Sequence, residues 1–306
     1  MNMRVRSLLA QDPVTLPLRG ADPSTPRQEQ PSGRLIGQIL QEYKQLTDDQ
    51  IEQILGYQAE HYVRFGEAAV ALRLASPQDV LWALSQQFHY PYLLEPVVSA
   101  ELVAAADPFG PQAEAVRGIR SELMLGARAA EQPKRALAVL SPNTGDGKSY
   151  LAANLAISYS QLGAQTVLID ADMRTPRQHR LFSVPNGVGL SGILSGRAPV
   201  NITHTVAGLP NLFVLPVGTL PPNPLDLLQR PAFEELLQDL LTRFEHVVVD
   251  APAAVRGADA LVIAAKCGLA LVIGRRGRTQ MKAVDGLLGH VTRSGTRIAG
   301  VVINDH

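Results

Sequence analysis

Three short apolar runs, each leading into residues suited to phosphate or metal, most constrain what this chain can fold into. Residues 136–140 (ALAVL) precede the glycine-rich segment 141–149 (SPNTGDGKS), and residues 151–162 then have the apolar spacing of a helix. Two further runs end in acidic residues, at 167–172 (VLIDAD) and at 247–250 (VVVD). Buried strands with polar residues at their carboxyl ends are typical of open parallel sheets that bind a ligand there. The pattern therefore predicts an α/β domain.

The glycine-rich segment has the residue types of a phosphate-binding turn. Gly145 and Gly147 let the backbone direct its N–H groups toward phosphate oxygens, and the Lys148 ammonium, expected to face solvent, can reach the terminal phosphates. The hydroxyl of Ser149 is a candidate ligand of Mg²⁺. The predicted nucleotide contacts are Asn143, Thr144, Gly145, Asp146, Gly147, Lys148, Ser149 and Tyr150. A glycine-rich turn without a ligand is the alternative.

Three carboxylates complete the candidate site. Asp170 and Asp172 stand two residues apart at the end of a predicted strand, so their side chains face the same side, and Asp250 ends another strand. One of the pair could hold Mg²⁺ while the other accepts a proton from an attacking hydroxyl. With the phosphate-binding turn, these carboxylates predict ATP and Mg²⁺ as ligands and phosphoryl transfer as the chemistry. Solvated loop acids are the alternative for Asp170 and Asp172.

The spacing Asp-x-Asp-x-Arg at 170–174, between the turn and Asp250, resembles the bacterial tyrosine kinases of the CpsD/CapB family. The likeness covers roughly residues 107 to 306. Four further segments agree with the family, at 114–120 (EAVRGIR), 189–196 (GLSGILSG), 221–228 (PPNPLDLL) and 300–304 (GVVIN).

This resemblance implies a role for each site residue. Lys148 would bind the phosphates, and Asp170 would be the base that accepts the proton of a tyrosine hydroxyl. Asn304, at the end of the last predicted strand, would contact adenine, with a plain strand-ending asparagine as the alternative. The implied metal ligands are Ser149, Asp172 and Asp250.

As a function, the resemblance implies an ATP-dependent protein-tyrosine kinase that regulates the chain length and export of a capsular or exopolysaccharide. Its expected partner is the cytoplasmic tail of a membrane chain-length determinant protein. Many family members end in clustered tyrosines, whereas no tyrosine follows Tyr159 here, so we expect no tail phosphorylation. The alternatives are a MinD/ParA-like ATPase switch without kinase activity and a regulator of polysaccharide export that responds to cyclic di-GMP.

A charged helix is predicted to begin at Pro111. Glu114, Arg117 and Arg120 follow one another at a spacing of three residues, which predicts that they share one face of the helix and could form ion pairs between subunits. In the resembling family this segment is an oligomerisation helix, so a homo-oligomer is expected. The alternative is a solvated charged face.

The N-terminal part contains an internal repeat with an offset of 29 residues, between 36–58 and 65–87. Each copy predicts a helix, a turn capped by Thr47 or Ser76, and a second amphipathic helix. The repeat resembles the N-terminal domain of MshE and of type II secretion ATPases, some of which bind cyclic di-GMP. The likeness implies Arg64 as a ligand contact, and a docking or purely structural module is the alternative.

The chain therefore divides into a disordered leader (1–32, with five prolines), a small all-α helical-repeat module (33–95), a linker (96–110) and a P-loop domain (111–306). The P-loop domain is predicted to be a mostly parallel sheet flanked by helices. Its strands are expected near 136–141, 165–170, 211–216, 246–250, 269–274 and 297–303.

Composition limits the partners. The 28 basic and 28 acidic residues balance, so no overall field attracts nucleic acid, and none is expected as a partner. The single Cys267 argues against disulfides and suits a reducing compartment. The most apolar stretch, 260–274, is interrupted by Lys266 and too short to span a bilayer. We expect a cytoplasmic protein that a partner recruits to the inner face of the inner membrane.

Overall fold

The computed structural model describes residues 4–6, 35–88, 99–129, 134–199 and 203–305. The chain forms two compact units. One consists of Leu9–Leu94, and the other of Glu95–His306 together with Met1–Leu8.

The smaller unit contains, within its described residues, four helices that follow the 29-residue repeat. They are α1 (Ile36–Lys44), α2 (Asp48–His61), α3 (Phe65–Ala71) and α4 (Pro77–Gln87). The hydroxyl of Thr47 accepts the Gln50 N–H at 3.3 Å, and that of Ser76 accepts the Asp79 N–H at 3.1 Å. Both predicted helix caps are thus confirmed.

A small core and one glycine hold these helices together. The buried apolar residues are Ile39, Leu40, Leu46, Ile54, Ala68, Ala69, Ala75 and Ala83. At Gly66 an added Cβ would lie 2.5 Å from Cγ1 of Val80. Because real Cβ atoms essentially never come that close, α3 can approach α4 here only through glycine. This contact gives Gly66 a structural role in the module.

The larger unit is built on one sheet with eight strands in the described chain. They are β1 (Arg4–Arg6), β2 (Ala136–Leu140), β3 (Thr166–Asp170), β4 (His204–Val206), β5 (Leu209–Leu215), β6 (His246–Asp250), β7 (Gly268–Arg275) and β8 (Arg297–Asn304). Their order is β1-β8-β7-β2-β6-β3-β5-β4. Only the two edge pairs, β1–β8 and β4–β5, are antiparallel. The prediction of a mostly parallel P-loop sheet is confirmed.

Helices cover the sheet on both faces. They are α5 (Val103–Ala106), α6 (Pro111–Ala129), α7 (Lys148–Ser160), α8 (Gln178–Leu181), α9 (Leu190–Leu194), α10 (Pro224–Gln229), α11 (Pro231–Arg243), α12 (Asp259–Cys267) and α13 (Met281–Arg293). The largest core joins alternate residues of the central strands to α11, α12 and α13. The central strands β2 and β3 are buried at every position because α7 packs against the sheet as well. This two-sided burial explains their uninterrupted apolar sequences.

The structure differs from the sequence prediction at two places in this unit. Arg4–Arg6, within the predicted disordered leader, forms β1, while residues 7–34 lie outside the described residues. Residues 99–110, predicted to be linker, belong to the larger unit: Leu102 is fully buried, and the Ala104 N–H donates to Oδ1 of Asn154 in α7 at 2.9 Å. Burial of apolar side chains is favourable in free energy, which explains why residues 99–110 pack on the larger unit.

Within the described ranges, no helix is both long and apolar enough to cross a membrane.

Candidate active site

The phosphate-binding turn joins β2 to α7 with two residues in the left-handed region. Gly145 has φ +88° and Gly147 has φ +101°. The side chain of Asp146 points back into the turn, where its Oδ2 accepts the Asn143 N–H at 2.9 Å and its Oδ1 accepts the Thr279 hydroxyl at 2.7 Å. Asp146 therefore braces the turn, and its predicted contact with nucleotide stays a prediction.

Asn304 lies behind the same turn. Its Nδ2 donates to the carbonyl oxygen of Asp146 at 3.2 Å, and a Cβ added at Gly147 would lie 2.6 Å from that nitrogen. The side chain is buried, so its observed role is to support the turn from β8. The predicted contact with adenine stays a prediction.

Lys148 is buried and forms an ion pair in the site. Its Nζ lies 3.0 Å from Oδ2 of Asp172, and the two side chains are 10% and 1% exposed. Burial lowers the pKa of Lys148, but the carboxylates of Asp250 and Asp172 outweigh it and hold the pKa above its ordinary value. The ammonium is therefore charged. The expectation that it faces solvent was wrong, because the sheet places three carboxylates around it.

Asp172 is held in its ionised form by several donors. Oδ1 accepts the Thr175 N–H at 2.8 Å, and Oδ2 accepts the Thr175 hydroxyl at 3.0 Å. Burial raises the pKa of Asp172, but Lys148 and these bonds outweigh it and hold the pKa below the ordinary value. A carboxylate that stays ionised suits a magnesium ligand.

Asp170 and Asp250 lie side by side, in register on β3 and β6, and both are fully buried. Burial, together with the Asp250 charge, raises the pKa of Asp170 well above its ordinary value, and burial also raises that of Asp250. Asp170 accepts the backbone N–H groups of Asp172, Arg177 and Gln178 at 3.0 to 3.2 Å. It anchors the segment after β3 and is enclosed, so its role as a base stays a prediction.

The oxygen groups fit a hydrated Mg²⁺. Oδ2 of Asp250 accepts Nε2 of Gln178 at 2.8 Å, whereas its buried Oδ1 has no hydrogen bond of ordinary geometry within the described residues. The Ser149 hydroxyl is close enough to lower the pKa of Asp250. Mg²⁺ is usually held by one or two carboxylates, substrate phosphates and water, and its shell could satisfy such an oxygen. No cluster of three His, Cys, Asp or Glu side chains suited to a metal occurs in the described chain.

The remaining predicted nucleotide contacts differ in their surroundings. The Tyr150 hydroxyl lies 3.4 Å from Oε1 of Gln112 in α6, so its side chain turns away from the phosphate-binding turn. Burial, with a smaller effect of the Glu101 charge, raises the pKa of Tyr150 to about 12. The predicted contact of Tyr150 with nucleotide stays a prediction.

Beside the turn lies an open cavity of about 410 Å³, large enough for part of a nucleotide. It is lined by Asn143, Thr144, Asp146, Arg278, Gln280 and Ala283.

Two interactions of the site were missed by sequence reasoning. Gln178 donates from Nε2 both to Asp250 and to the carbonyl oxygen of Ser149, and no motif identifies it. Arg174, the arginine of the Asp-x-Asp-x-Arg segment, pairs with Asp259 at 2.9 Å and so ties that segment to the start of α12. The arginine was visible in the sequence, but its partner, 85 residues away, was not.

The predicted oligomerisation residues do not share one face. Glu114 is exposed and pairs at 2.6 Å with the half-buried Arg117 of α6, whereas Arg120 is buried, with Nη1 donating to the Ser158 carbonyl oxygen at 2.8 Å. Arg120 lies six residues after Glu114, so its side chain points about 120° away from that of Glu114 around the helix axis. This direction brings Arg120 against α7. The placement of Arg120 on an exposed interface was wrong. A role of Glu114 and Arg117 in oligomerisation stays a prediction.

The fold and the site define a nucleotide-binding protein of the P-loop ATPase class. Residues 137–306 match the family described as the CobQ/CobB/MinD/ParA nucleotide binding domain, and the chain belongs to it. The putative tyrosine-protein kinase CapB of Staphylococcus aureus is 34% identical over 194 residues, which cover 62% of this chain and 83% of CapB. Tyrosine-protein kinase Wzc of Salmonella typhimurium is 31% identical over 205 residues, 67% of this chain but only 28% of Wzc.

Solved structures agree with these matches. The crystal structure of the chimerical protein CapA2B2 superimposes with a TM-score of 0.63 and 30% identity, covering 72% of this chain and 96% of the other. The kinase domain of the Escherichia coli tyrosine kinase ETK gives a TM-score of 0.63 and 29% identity, covering 66% and 79%. The chain is a member of the bacterial tyrosine-protein kinase family.

Proposed function

We propose that the chain transfers the γ-phosphoryl group of Mg²⁺-bound ATP to a tyrosine hydroxyl of another protein. The observation that carries this proposal is the buried group of Lys148, Asp172 and Asp250 beside the phosphate-binding turn. The family supplies the acceptor class, since the relatives CapB and Wzc are named tyrosine-protein kinases.

The proposed mechanism begins with a change of partner. Nucleotide phosphates would take the Lys148 ammonium from Asp172, to which it lies at 3.0 Å. Asp172, Asp250 and the Ser149 hydroxyl are the oxygen groups that would hold Mg²⁺. The ion, when bound, neutralises charge on the phosphate oxygens. Lys148 and the backbone N–H groups of the turn stabilise the same charge in the transition state.

The transfer itself exchanges one oxygen–phosphorus bond for another. The tyrosine oxygen forms a bond to the γ-phosphorus while the bond to the bridging oxygen breaks, and ADP leaves. The tyrosine proton passes to the Asp170 carboxylate in this scheme. Oδ2 of Asp170 must first be released by the N–H groups of Arg177 and Gln178. Movement of the segment after β3 is therefore part of the proposal.

The acceptor is expected in a second protein because most described tyrosines of this chain are engaged. Tyr43 packs at a tilt against Trp82, Tyr57 stacks on His61, and Tyr159 is buried against His246. Tyr62 alone among the described tyrosines is almost fully exposed, at 95%. Tyr90 and Tyr92 lie outside the described residues.

The biological setting is proposed from the family resemblance. The chain would control the chain length and export of a capsular or exopolysaccharide as a homo-oligomer. It would act at the inner face of the inner membrane, recruited and activated by the cytoplasmic tail of a chain-length determinant protein. Cyclic di-GMP binding by the helical module is a further element, supported by the exposed Arg64 at the start of α3.

A regulatory ATPase switch is the second candidate, favoured by the family description that includes MinD and ParA. Measuring ATP consumption and phosphotyrosine in the same reaction separates the two. The kinase predicts slow turnover of the protein alone and a rise in both quantities when the partner's tail is added. Turnover that rises without any phosphotyrosine would support the switch.

A further inference from the structure

Gln178, the first residue of α8, touches all three motifs of the nucleotide site while being fully buried. Its Nε2 donates to the Ser149 carbonyl oxygen at 3.0 Å and to Oδ2 of Asp250 at 2.8 Å. Its backbone N–H donates to Oδ2 of Asp170 at 3.0 Å. One residue thus joins the first turn of α7, the end of β3 and the end of β6.

The orientation of this amide follows from its partners. A carbonyl oxygen and a carboxylate oxygen both accept hydrogen bonds, so the NH₂ group of Gln178 must face them. Its Oε1 is left buried with no hydrogen-bond donor within the described residues, and Oδ1 of Asp250 has none of ordinary geometry, with the Ser149 hydroxyl as its neighbour. Buried oxygens without donors are uncommon in folded proteins, and two of them beside a predicted metal site point to a bound group with hydrogens to donate or a charge to share.

We propose that Gln178 is a positioning residue that fixes the Asp250 carboxylate for Mg²⁺. By occupying Oδ2, the amide leaves Oδ1 as the oxygen available to the ion or to its water, and Oε1 of Gln178 can accept a hydrogen bond from that water. The inference rests on the proposed use of Mg²⁺-bound nucleotide. It deepens that proposal by assigning part of the metal affinity to a residue that is not itself a ligand.

The same residue links metal binding to the segment that carries the other carboxylates. Its backbone bond to Asp170 and its side-chain bond to Asp250 belong to one residue, so a shift of the segment that frees Asp170 also disturbs Asp250. Gln178 therefore couples Asp170, the proposed proton acceptor, to Asp250, the proposed metal ligand.

The test uses Gln178→Met in the full chain, a change that keeps the length of the side chain and removes both donors. Outer partners of metal ligands typically contribute 10- to 100-fold to metal affinity. We expect the Mg²⁺ concentration for half-maximal ATP turnover to rise by about tenfold or more. Calorimetry in EDTA should show an ADP affinity within about twofold of wild type. Adding Mg²⁺ should raise the ADP affinity of wild type but not that of the variant.

Gln161→Leu is the matched control. Gln161 is also buried in the same unit, and its Nε2 donates to the Ala104 carbonyl oxygen at 2.7 Å, away from the carboxylates. This variant should melt at a lower temperature without a change in Mg²⁺ dependence. Gln178→Asn, whose shorter amide cannot span Ser149 and Asp250 together, serves as the second variant and should also raise the Mg²⁺ requirement.

The outcomes separate the two levels of the proposal. Suppose that Mg²⁺ raises the ADP affinity of wild type and of the Gln178 variants equally, and that the variants differ only in melting at a lower temperature, like the control. That result would overturn the inference alone. If the Met variant does not fold, an unchanged Mg²⁺ requirement in Gln178→Asn would overturn the inference in the same way. A wild type whose ADP affinity ignores Mg²⁺ would overturn the proposed function, and this inference with it.

Discussion

Replacing Lys148 with Met should both abolish ATP turnover and destabilise the larger unit. The ammonium is enclosed by Asp170, Asp172 and Asp250, each of which raises its pKa, and it pairs directly with Asp172. Methionine is close to lysine in length but brings no charge. The variant therefore leaves three buried carboxylates without their central cation.

The size of the loss can be estimated from the contacts. Removing one partner of a buried ion pair typically costs about 3–5 kcal/mol. Asp172 keeps the N–H groups of Arg174 and Thr175 and the Thr175 hydroxyl, so we expect the lower end, about 3 kcal/mol. Because Lys148 helps hold the pKa of Asp172 below its ordinary value, the pair's contribution is fully present at pH 7 and is lost only as pH falls through the folded-state pKa of Asp172.

A double-mutant cycle with Asp172→Asn tests this reasoning. Asparagine removes the negative charge that Lys148→Met leaves unpaired, so the double variant should be more stable than Lys148→Met alone, with a coupling energy of at least about 1 kcal/mol. Urea unfolding at pH 7 is followed by far-UV circular dichroism. Trp82, the chain's single tryptophan, lies in the helical module, so its fluorescence serves as an internal control for the other unit.

Additive effects in this cycle would refute the buried-pair account. A Lys148→Met protein as stable as wild type would also refute this account, because it would mean that the Lys148 ammonium of the wild-type protein faces solvent. Retained ATP turnover in that variant would remove the active-site assignment.

Three further predictions concern the helices. In the module, Gly66→Ala should lower the free energy of unfolding by about 1–3 kcal/mol, because the new Cβ clashes across the α3–α4 contact. Gly56→Ala, whose Cβ would meet nothing within 4 Å, should be neutral or stabilising. Urea unfolding followed by tryptophan fluorescence measures both. In α6, Arg120→Ala should lower the melting temperature because its hydrogen bonds to α7 are lost. Glu114→Ala should leave the melting temperature unchanged and weaken any oligomer seen by light scattering. The reverse pattern would support the prediction that Glu114 and Arg120 share one face. If the module binds cyclic di-GMP, Arg64→Ala should weaken binding by the full chain at least about tenfold, and calorimetry without heat for wild type at high micromolar ligand would leave the module a docking or structural role.

The sheet could be predicted from sequence because its central strands are buried on both faces and read as unbroken apolar runs. The edge strands β1 and β4 could not, since each has three residues and no period to detect. The packing of the segment before α6 was also not predictable, because no local pattern shows that Leu102 and a few alanines are buried on α7.

The candidate site was predictable as a set of residues but not as a set of contacts. The motifs identified Lys148 through the glycine-rich turn, and Asp170, Asp172 and Asp250 through their places at or just after strand ends. Which of these side chains pair depends on the strand order, which places β6 between β2 and β3 and is not written in any local pattern. Gln178 escaped notice for the same reason, since its partners lie 29 and 72 residues away along the chain.

The central claim is phosphoryl transfer to tyrosine, and mass spectrometry for phosphotyrosine tests it most directly. The purified chain is incubated with Mg²⁺-ATP, with and without the cytoplasmic tail of the proposed chain-length determinant partner, beside the Lys148→Met variant. The account predicts phosphotyrosine on the partner protein, little on the chain itself, and none with the variant. Absence of phosphotyrosine from every wild-type reaction, in a preparation that hydrolyses ATP, would contradict the account.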